Sequence, residues 1–412
     1  MSELALKERL SASDWTFRGV KAKEGIHAIH SYPAMMPPPV ARRLICELTR
    51  EGDTVLDPFC GSGTVLAEAV LLKRTGIGYD INPLALLIAR VKTTPLSPAT
   101  IMEALFRIEQ RAASQPEPQS LPHFPNIDYW FKREVITALA KLKTAIEAEE
   151  SNEIRDFFKV VFARTVRQTS NTRGNEFKLF RLPDEKLRFY RPNVFVSFKT
   201  IALECISAMD DFYSRASDRL PSADVRFHDS RYPFPLPKES ISLMLTSPPY
   251  GDSRTTVAYG QFSRLALQWL DMWEKDVDKE SLGGKPIARC CEIPILNNAL
   301  DKVRLLDEQR AKEVEAFYQD LYLCMRNIST VVRPGGFAVF VVANRKVKGI
   351  TLPTDKIIVD MMQSMGFSHV GTLQREIPNK RMPLRNSPSN IPGQTDVTML
   401  RELIVLLRKQ TT

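Results

Sequence analysis

Two short segments hold residues whose types and spacing could do chemistry: Asp57-Pro58-Phe59-Cys60-Gly61-Ser62-Gly63-Thr64 and Thr246-Ser247-Pro248-Pro249-Tyr250. Each directly follows an apolar run that reads as a buried strand. In the first, Asp57 ends the strand, and Gly61 and Gly63 permit positive φ and close backbone approach. A helix starting at Thr64 would aim its free amides at whatever binds. A strand–turn–helix at the carboxyl edge of an open α/β sheet can cradle a nucleotide-like cofactor. The next strand ends Gly78-Tyr79-Asp80-Ile81-Asn82-Pro83, which places Asp80 to bind a ribose diol. The 23-residue gap from Asp57 to Asp80 fits an adenosine-type ligand, although Leu66 stands where a dinucleotide fingerprint has its third glycine.

The second segment is a rigid loop. Its two prolines fix φ and remove two amide donors, so carbonyls are left free to accept. An aryl amino group is a poor nucleophile because its lone pair is delocalised into the ring. Acceptors on both of its N–H groups, here Ser247 Oγ and the Pro248 carbonyl, can draw that pair back onto nitrogen. The rest is positioning and electrostatics. Tyr250 offers an aromatic face for a base flipped out of a duplex, since the amino group is unreachable inside it.

DPFCGSGT, GYDIN and TSPPY together resemble motifs of the S-adenosylmethionine-dependent methyltransferases that modify the exocyclic amino group of a DNA base. The resemblance implies S-adenosylmethionine as cofactor, Asp57 near its ammonium, Phe59 along its methionine and Asp80 on its ribose. Pro58, Gly61, Ser62, Gly63, Thr64, Ile81 and Asn82 complete that set. His30-Ser31-Tyr32-Pro33-Ala34-Met35-Met36-Pro37 is similar to the family's motif X, which implies that His30 and Tyr32 close over the methionine moiety. His228-Asp229, where members often place a residue near the adenine ring, adds Asp229, and Thr246 joins the cofactor set. Ser247, Pro248, Pro249 and Tyr250 become the catalytic residues. In the family a first-position Ser goes mostly with the cytosine N4 amino group, and Asp or Asn with the adenine N6 amino group. Cytosine is therefore expected, with adenine as the alternative. The extension from Gly251 to Gln261 resembles restriction-modification cytosine enzymes, with Arg254 at a phosphate or paired with an acid. The segment from Glu376 to Pro383 resembles a late motif near the target base, with Lys380 and Arg381 as DNA contacts. Val332-Arg333-Pro334-Gly335-Gly336 resembles a structural turn common to methyltransferases.

These motifs need a sheet to position them. Seven short apolar runs read as strands, at 53–57, 76–80, 224–228, 241–246, 336–343, 369–376 and 402–407. Helical patterns fall between most of them, at 64–73, 83–92, 261–274, 309–331 and 354–365. Such alternation argues an α/β, doubly wound, mainly parallel sheet. The last two runs lack an intervening helix and read as an antiparallel pair joined by a long loop, 377–400. A seven-stranded sheet with one reversed strand near the end resembles the common methyltransferase fold. Residues 25–95 and 223–408 form the expected catalytic domain, and 96–222 an inserted, largely helical subdomain. Residues 276–306 read as a second, irregular insertion. The motif order X, I, II, insertion, IV resembles the α arrangement of amino-methyltransferases, which implies that the larger insertion reads the target; 276–306 and 377–400 remain the other candidates.

Composition supports a polyanionic partner. Net charge is +9, with a sequence pI of about 9.2. From Arg155 to Lys199 there are eleven lysines and arginines against four acids, interleaved with Phe177, Phe180, Phe189 and Tyr190. Cations pair phosphates and aromatics stack on bases, so double-stranded DNA is the expected partner, with Arg173, Lys178 and Arg181 at the contact. A solvated helix face with ordinary core aromatics is the plainer reading of the same segment. The six cysteines show no CxxC spacing, so no metal site is expected. No stretch approaches the roughly 18 apolar residues of a membrane span, and no signal peptide is apparent. The expectation is a cytoplasmic monomer or homodimer, with a cognate restriction endonuclease as a possible partner.

Three rivals can be weighed. An RNA guanine amino-methyltransferase usually starts its clamp with Asp or Asn and often carries an N-terminal RNA-binding domain, for which about 25 residues ahead of motif X leave no room. A carbon-5 cytosine enzyme needs a Cys nucleophile, usually after proline, and no Pro-Cys dipeptide occurs. A non-catalytic DNA-binding protein is argued against by the intact Asp57, Asp80 and Ser247.

Overall fold

In the computed structural model, the structure describes residues 3–20, 24–118, 121–174, 176–215, 223–251, 257–272, 276–285, 292–377, 385–386, 396–397 and 401–411. All seven runs are strands of one sheet: β1 (Thr54–Asp57), β2 (Thr75–Asp80), β3 (Ala223–Phe227), β4 (Ile241–Thr246), β5 (Val332–Val342), β6 (Phe367–Glu376) and β7 (Arg401–Lys409). Their order is β3-β2-β1-β4-β5-β7-β6. The pairs among β1 to β5 are parallel. The reversed strand is β7, which inserts between β5 and β6 and is antiparallel to both. The last two runs therefore pair as expected, with Val405 opposite Thr372, and β7 also pairs β5, with Val405 opposite Phe340.

Both sheet faces are buried, so the strands alternate between two cores rather than between core and water. Leu56, Met244, Phe340 and Val405 face the helices Glu308–Val331 and Thr354–Gln363. Val55, Leu243, Leu245, Val339 and Ile404 face the helices Pro38–Leu48 and Glu3–Ser11. The helix after β1 approaches β2 closely: a Cβ on Gly78 would lie 2.3 Å from Leu66 Cδ1.

Between β2 and β3 run the long helices Pro98–Ser114, Arg133–Glu147, Asn152–Thr169 and Val194–Arg215. Pro98 opens the first, and Ser151 caps the third by accepting from the Ile154 amide at 3.2 Å. Phe157, Phe158, Phe162, Phe198 and Phe212 of these helices share one core with Ile26, Ile29, Leu84, Leu87 and Trp269. The insertion is thus rooted in the same apolar core as the motif X segment and the helix after β2.

Three features depart from the expected pattern. Residues 276–306, read as irregular, contain the helices Val277–Glu280 and Pro294–Arg304. In the second, Leu296, Ala299, Leu300 and Val303 form a buried stripe at helical spacing behind an N-terminal proline. A hairpin, Arg345–Val347 with Ile350–Leu352, turns on Lys348 and Gly349, both at positive φ. In the loop after β6, the short segments Arg385–Asn386 and Asp396–Val397 pair antiparallel.

Gly63 is the tightest point of the first motif. Its φ is +77°, and a Cβ there would lie 2.8 Å from Ala89 Cβ. Gly63→Ala is expected to destabilise the fold by roughly 1–3 kcal/mol through strain and overpacking. Urea denaturation measures this; an unchanged midpoint would show that the turn tolerates a side chain.

Candidate active site

The strand order reverses between β1 and β4, where chain connections leave in opposite directions. This is the crevice in which open α/β sheets bind ligands. Asp57, Asp80 and Thr246 sit at the carboxyl ends of β1, β2 and β4, so both motifs converge there.

Asp57 is buried and accepts from Thr246 Oγ1 at 2.6 Å and from the Phe59 amide at 3.1 Å. Burial pushes its pKa up to about 7; the Thr246 and Phe59 hydrogen bonds oppose the shift and the Asp80 charge adds to it. Asp80 accepts from the Gly61 amide at 2.9 Å and the Asn82 amide at 2.8 Å. Burial raises its pKa too, against the amides of Asn82, Gly61 and Ile81. Asn82 donates to the Tyr32 hydroxyl at 3.0 Å and to Ser263 Oγ at 2.8 Å, which ties the motif X loop to the helix Tyr259–Trp269. Tyr32 stacks on Tyr259 at 5.9 Å and meets the edge of Phe262 at 5.8 Å.

Of the expected cofactor set, Tyr32, Asp57, Pro58, Phe59, Gly61, Ser62, Thr64, Asp80, Ile81, Asn82 and Asp229 line one open cleft. Ser247 and Pro249 of the clamp line it as well. His30 sits behind Phe262, edge to face at 6.1 Å, with Nδ1 bonded to the Ser31 carbonyl. Gly63 shapes the turn, and Thr246 lies behind Asp57; neither is part of the cleft lining. Pro248 is buried, and the Tyr250 hydroxyl donates to Glu402 at 2.9 Å; neither residue is part of the cleft lining. Asp229 is engaged by the guanidinium of Arg231, which also reaches Asp320 at 3.2 Å and the Glu280 carbonyl at 2.9 Å.

Sequence reasoning missed several parts of this site. Tyr259 was legible only as a letter in an extension, and its stacking on Tyr32 depends on the tertiary fold. Glu280, Ser281 and Leu282 form a wall from the segment read as irregular. Arg231, two residues after Asp229, was the one neighbour that local spacing could have flagged.

The basic segment adjoins this cleft. Phe177 packs edge-on against Phe262 at 5.8 Å, which in turn touches Tyr32. Arg173 pairs with Glu176 at 3.6 Å, and Arg181 with Asp184 at 2.7 Å. Lys178, Lys186 and Arg188 are exposed and form no ion pair among the described residues. Phe189 beside them is 86% exposed. Arg254, Lys380 and Arg381 lie outside the described residues.

Residues 6–90 match a family model described as DNA methylase. The chain is 38% identical to the Type II methyltransferase M.MvaI of Kocuria varians, over 95% of this chain and 93% of that protein. The chain belongs to the S-adenosylmethionine-dependent DNA amino-methyltransferases. Over short stretches the methyltransferase is also similar to the Type II methyltransferase M.HpaI of Haemophilus parainfluenzae, 47% identical across 12% of this chain and 16% of that one. It likewise resembles a tRNA (guanine(10)-N2)-dimethyltransferase of Methanocaldococcus jannaschii, 46% identical across 12% of this chain and 16% of that one. A solved rRNA methyltransferase, aviRa from Streptomyces viridochromogenes, aligns with 92% of this chain and 88% of its own at a TM-score of 0.34 and 14% identity. The methyltransferase uses S-adenosylmethionine and acts on DNA in the manner of Type II restriction-modification enzymes. No helix among the described residues is long and apolar enough to cross a membrane.

The Asp57–Thr246 contact generates a pH signature. With its pKa pushed up to about 7, Asp57 would have to give up a proton below that pH to meet a cationic ligand group, and above it would meet one already charged. Affinity for S-adenosylmethionine is therefore expected to fall as pH drops through 7 and to level off above. Thr246→Val removes a hydrogen bond that favours the charged form, so the midpoint moves to higher pH. Calorimetric titrations from about pH 6 to about pH 8.5 read both effects; a midpoint unmoved by the substitution would remove Asp57 from contact with the cation.

Proposed function

We propose that the methyltransferase modifies the N4 amino group of a cytosine flipped out of a specific double-stranded DNA sequence. The observation that carries this reading is Ser247, a small neutral hydroxyl at the first clamp position, lining the cleft beside Asp57 and Asp80. The residues present fit the cofactor. Asp57 is a buried carboxylate suited to an ammonium, Asp80 a carboxylate suited to a diol, and Tyr32, Phe59 and Leu282 supply apolar walls. S-adenosylmethionine, when bound, supplies an electrophilic methyl group.

The chain's own residues act on the acceptor. Ser247 Oγ and the Pro248 carbonyl accept hydrogen bonds from the two amino N–H groups, which localises the lone pair on nitrogen; the nitrogen loses one proton to solvent once the methyl group is attached. The prolines hold those acceptors in place before the base arrives, so little reorganisation is needed during transfer. Pro249 and Tyr259 help to wall off the cleft from water. Tyr250 gives the loop an aromatic face for the base, although its hydroxyl is anchored to Glu402.

The helical, basic insertion, residues 96–222, reads the target. Its exposed Lys178, Lys186 and Arg188 and the protruding Phe189 lie on the segment that packs against the cleft wall through Phe177 and Phe262. Arg173 and Arg181 contribute where a phosphate replaces their exposed acidic partners. A cognate restriction endonuclease that cuts the same sequence in the cytoplasm is the functional counterpart.

Two measurements bear on this reading. Mass spectrometry of nucleosides from DNA incubated with the protein and S-adenosylmethionine is expected to return N4-methylcytosine; N6-methyladenine would assign the clamp to adenine instead. Charge reversal at Lys178, Lys186 and Arg188 is expected to weaken DNA binding and to flatten its salt dependence by roughly 0.9 in slope per lost phosphate contact. An unchanged slope would move the DNA to another face, with the loop after β6 as the next candidate.

A further inference from the structure

The Ser247 hydroxyl starts a chain of hydrogen bonds that ends on the reversed strand. Ser247 Oγ donates to the Tyr250 hydroxyl oxygen at 3.3 Å, and Tyr250 donates to Glu402 Oε1 at 2.9 Å. Glu402 stands directly opposite Arg375 in the β7–β6 ladder, and the two side chains form an ion pair. Arg375 is only 4% exposed, and its Nε donates to the Trp15 carbonyl at 3.1 Å. Glu402 is thus held by a guanidinium that is itself fixed.

The direction of this chain decides what Ser247 can do. A serine hydroxyl has one proton and two lone pairs. If its proton points into the cleft, it competes for the lone pair of an incoming amino group. If its proton lies on Tyr250, its lone pairs face the cleft and can accept an amino N–H. The Tyr250 oxygen can accept a hydrogen bond from the serine hydroxyl because its own O–H donates to Glu402. Burial, reinforced by the Glu402 charge, raises the Tyr250 pKa well above the ordinary value, so the phenol keeps that proton.

We propose that Glu402 is a positioning residue that fixes Ser247 as a hydrogen-bond acceptor, acting through the Tyr250 hydroxyl. The inference rests on the reading of Ser247 as the amino-group acceptor. It assigns a role in methyl transfer to a strand far in sequence from the clamp. Glu402 is not part of the cleft lining; Tyr250 is its link to Ser247, and Arg375 its link to the strand beside it.

A double-mutant cycle on the single-turnover rate of methyl transfer tests this, using the full chain, S-adenosylmethionine and a cognate duplex. Tyr250→Phe keeps the aromatic face and removes the relay. It is expected to slow transfer by about 10-fold, the scale of one hydrogen bond, with little change in cofactor affinity. Glu402→Gln is expected to slow transfer by a similar factor when Tyr250 is present, and to add nothing in the Tyr250→Phe background. A merely structural role for Glu402, exerted through the buried Arg375, would slow transfer equally in both backgrounds and overturn the proposal, as would no effect in either. If Glu402→Gln does not fold, the cycle between Ser247→Ala and Tyr250→Phe decides the relay: additive costs overturn it. If the parent enzyme yields no methylated amino group on any base, the reading of Ser247 fails instead, which separates the two failures.

Discussion

The hydrogen bond from Thr246 to Asp57, 2.6 Å long and fully buried, is the contact on which the rest of the site depends. It joins the carboxyl ends of two adjacent parallel strands. Asp57 opens the glycine turn, and Thr246 immediately precedes the clamp serine. One short bond therefore sets the position of the glycine turn after β1 against the proline loop after β4. A direct transfer between bound groups demands such control, because in-line geometry is lost with displacements of about 1 Å. The sheet supplies it by placing the strand-order reversal at β1 and β4, with hydrophobic layers on both faces to hold those strands rigid.

Much of this was legible in the sequence because the relevant signals are local. Strands buried on both faces read as short apolar runs, and all seven were found in this way, including the two that pair antiparallel without an intervening helix. The glycine turn from Asp57 to Thr64 was legible as a turn because glycine spacing reports backbone conformation, and Gly63 does adopt positive φ against Ala89. The helix Pro294–Arg304 was missed although its apolar spacing was present, since the surrounding segment lacks regular patterning. The hairpin at Lys348-Gly349 was missed because its strands are three residues each, too short for a periodic signal.

What local pattern could not supply is the set of partners that fix the functional side chains. Tyr259 stacks on Tyr32 across a gap of more than 200 residues, and Glu402 reaches Tyr250 from the last strand. Neither residue type is unusual where it stands, so only the fold reveals the role. Charge counting had a similar limit. The eleven cations between Arg155 and Lys199 look uniform in sequence, yet Arg164 pairs with Glu204, Lys199 with Glu109 and Arg181 with Asp184. Among the described residues, the exposed cations of this segment that form no ion pair include Lys178, Lys186, Arg188 and Arg191, around the exposed Phe189.

The central claim is a division of labour between two loops: the turn after β1 holds the methyl donor, and the loop after β4 prepares the amino acceptor. The most direct test measures both properties in one variant, Ser247→Ala. Calorimetric affinity for S-adenosylmethionine is expected to match the parent, while the single-turnover rate on a cognate duplex falls by about 100-fold or more, the scale of losing one preorganised polar group. A variant that transfers methyl groups at the parent rate, or that loses cofactor affinity in step with its rate, would contradict that division.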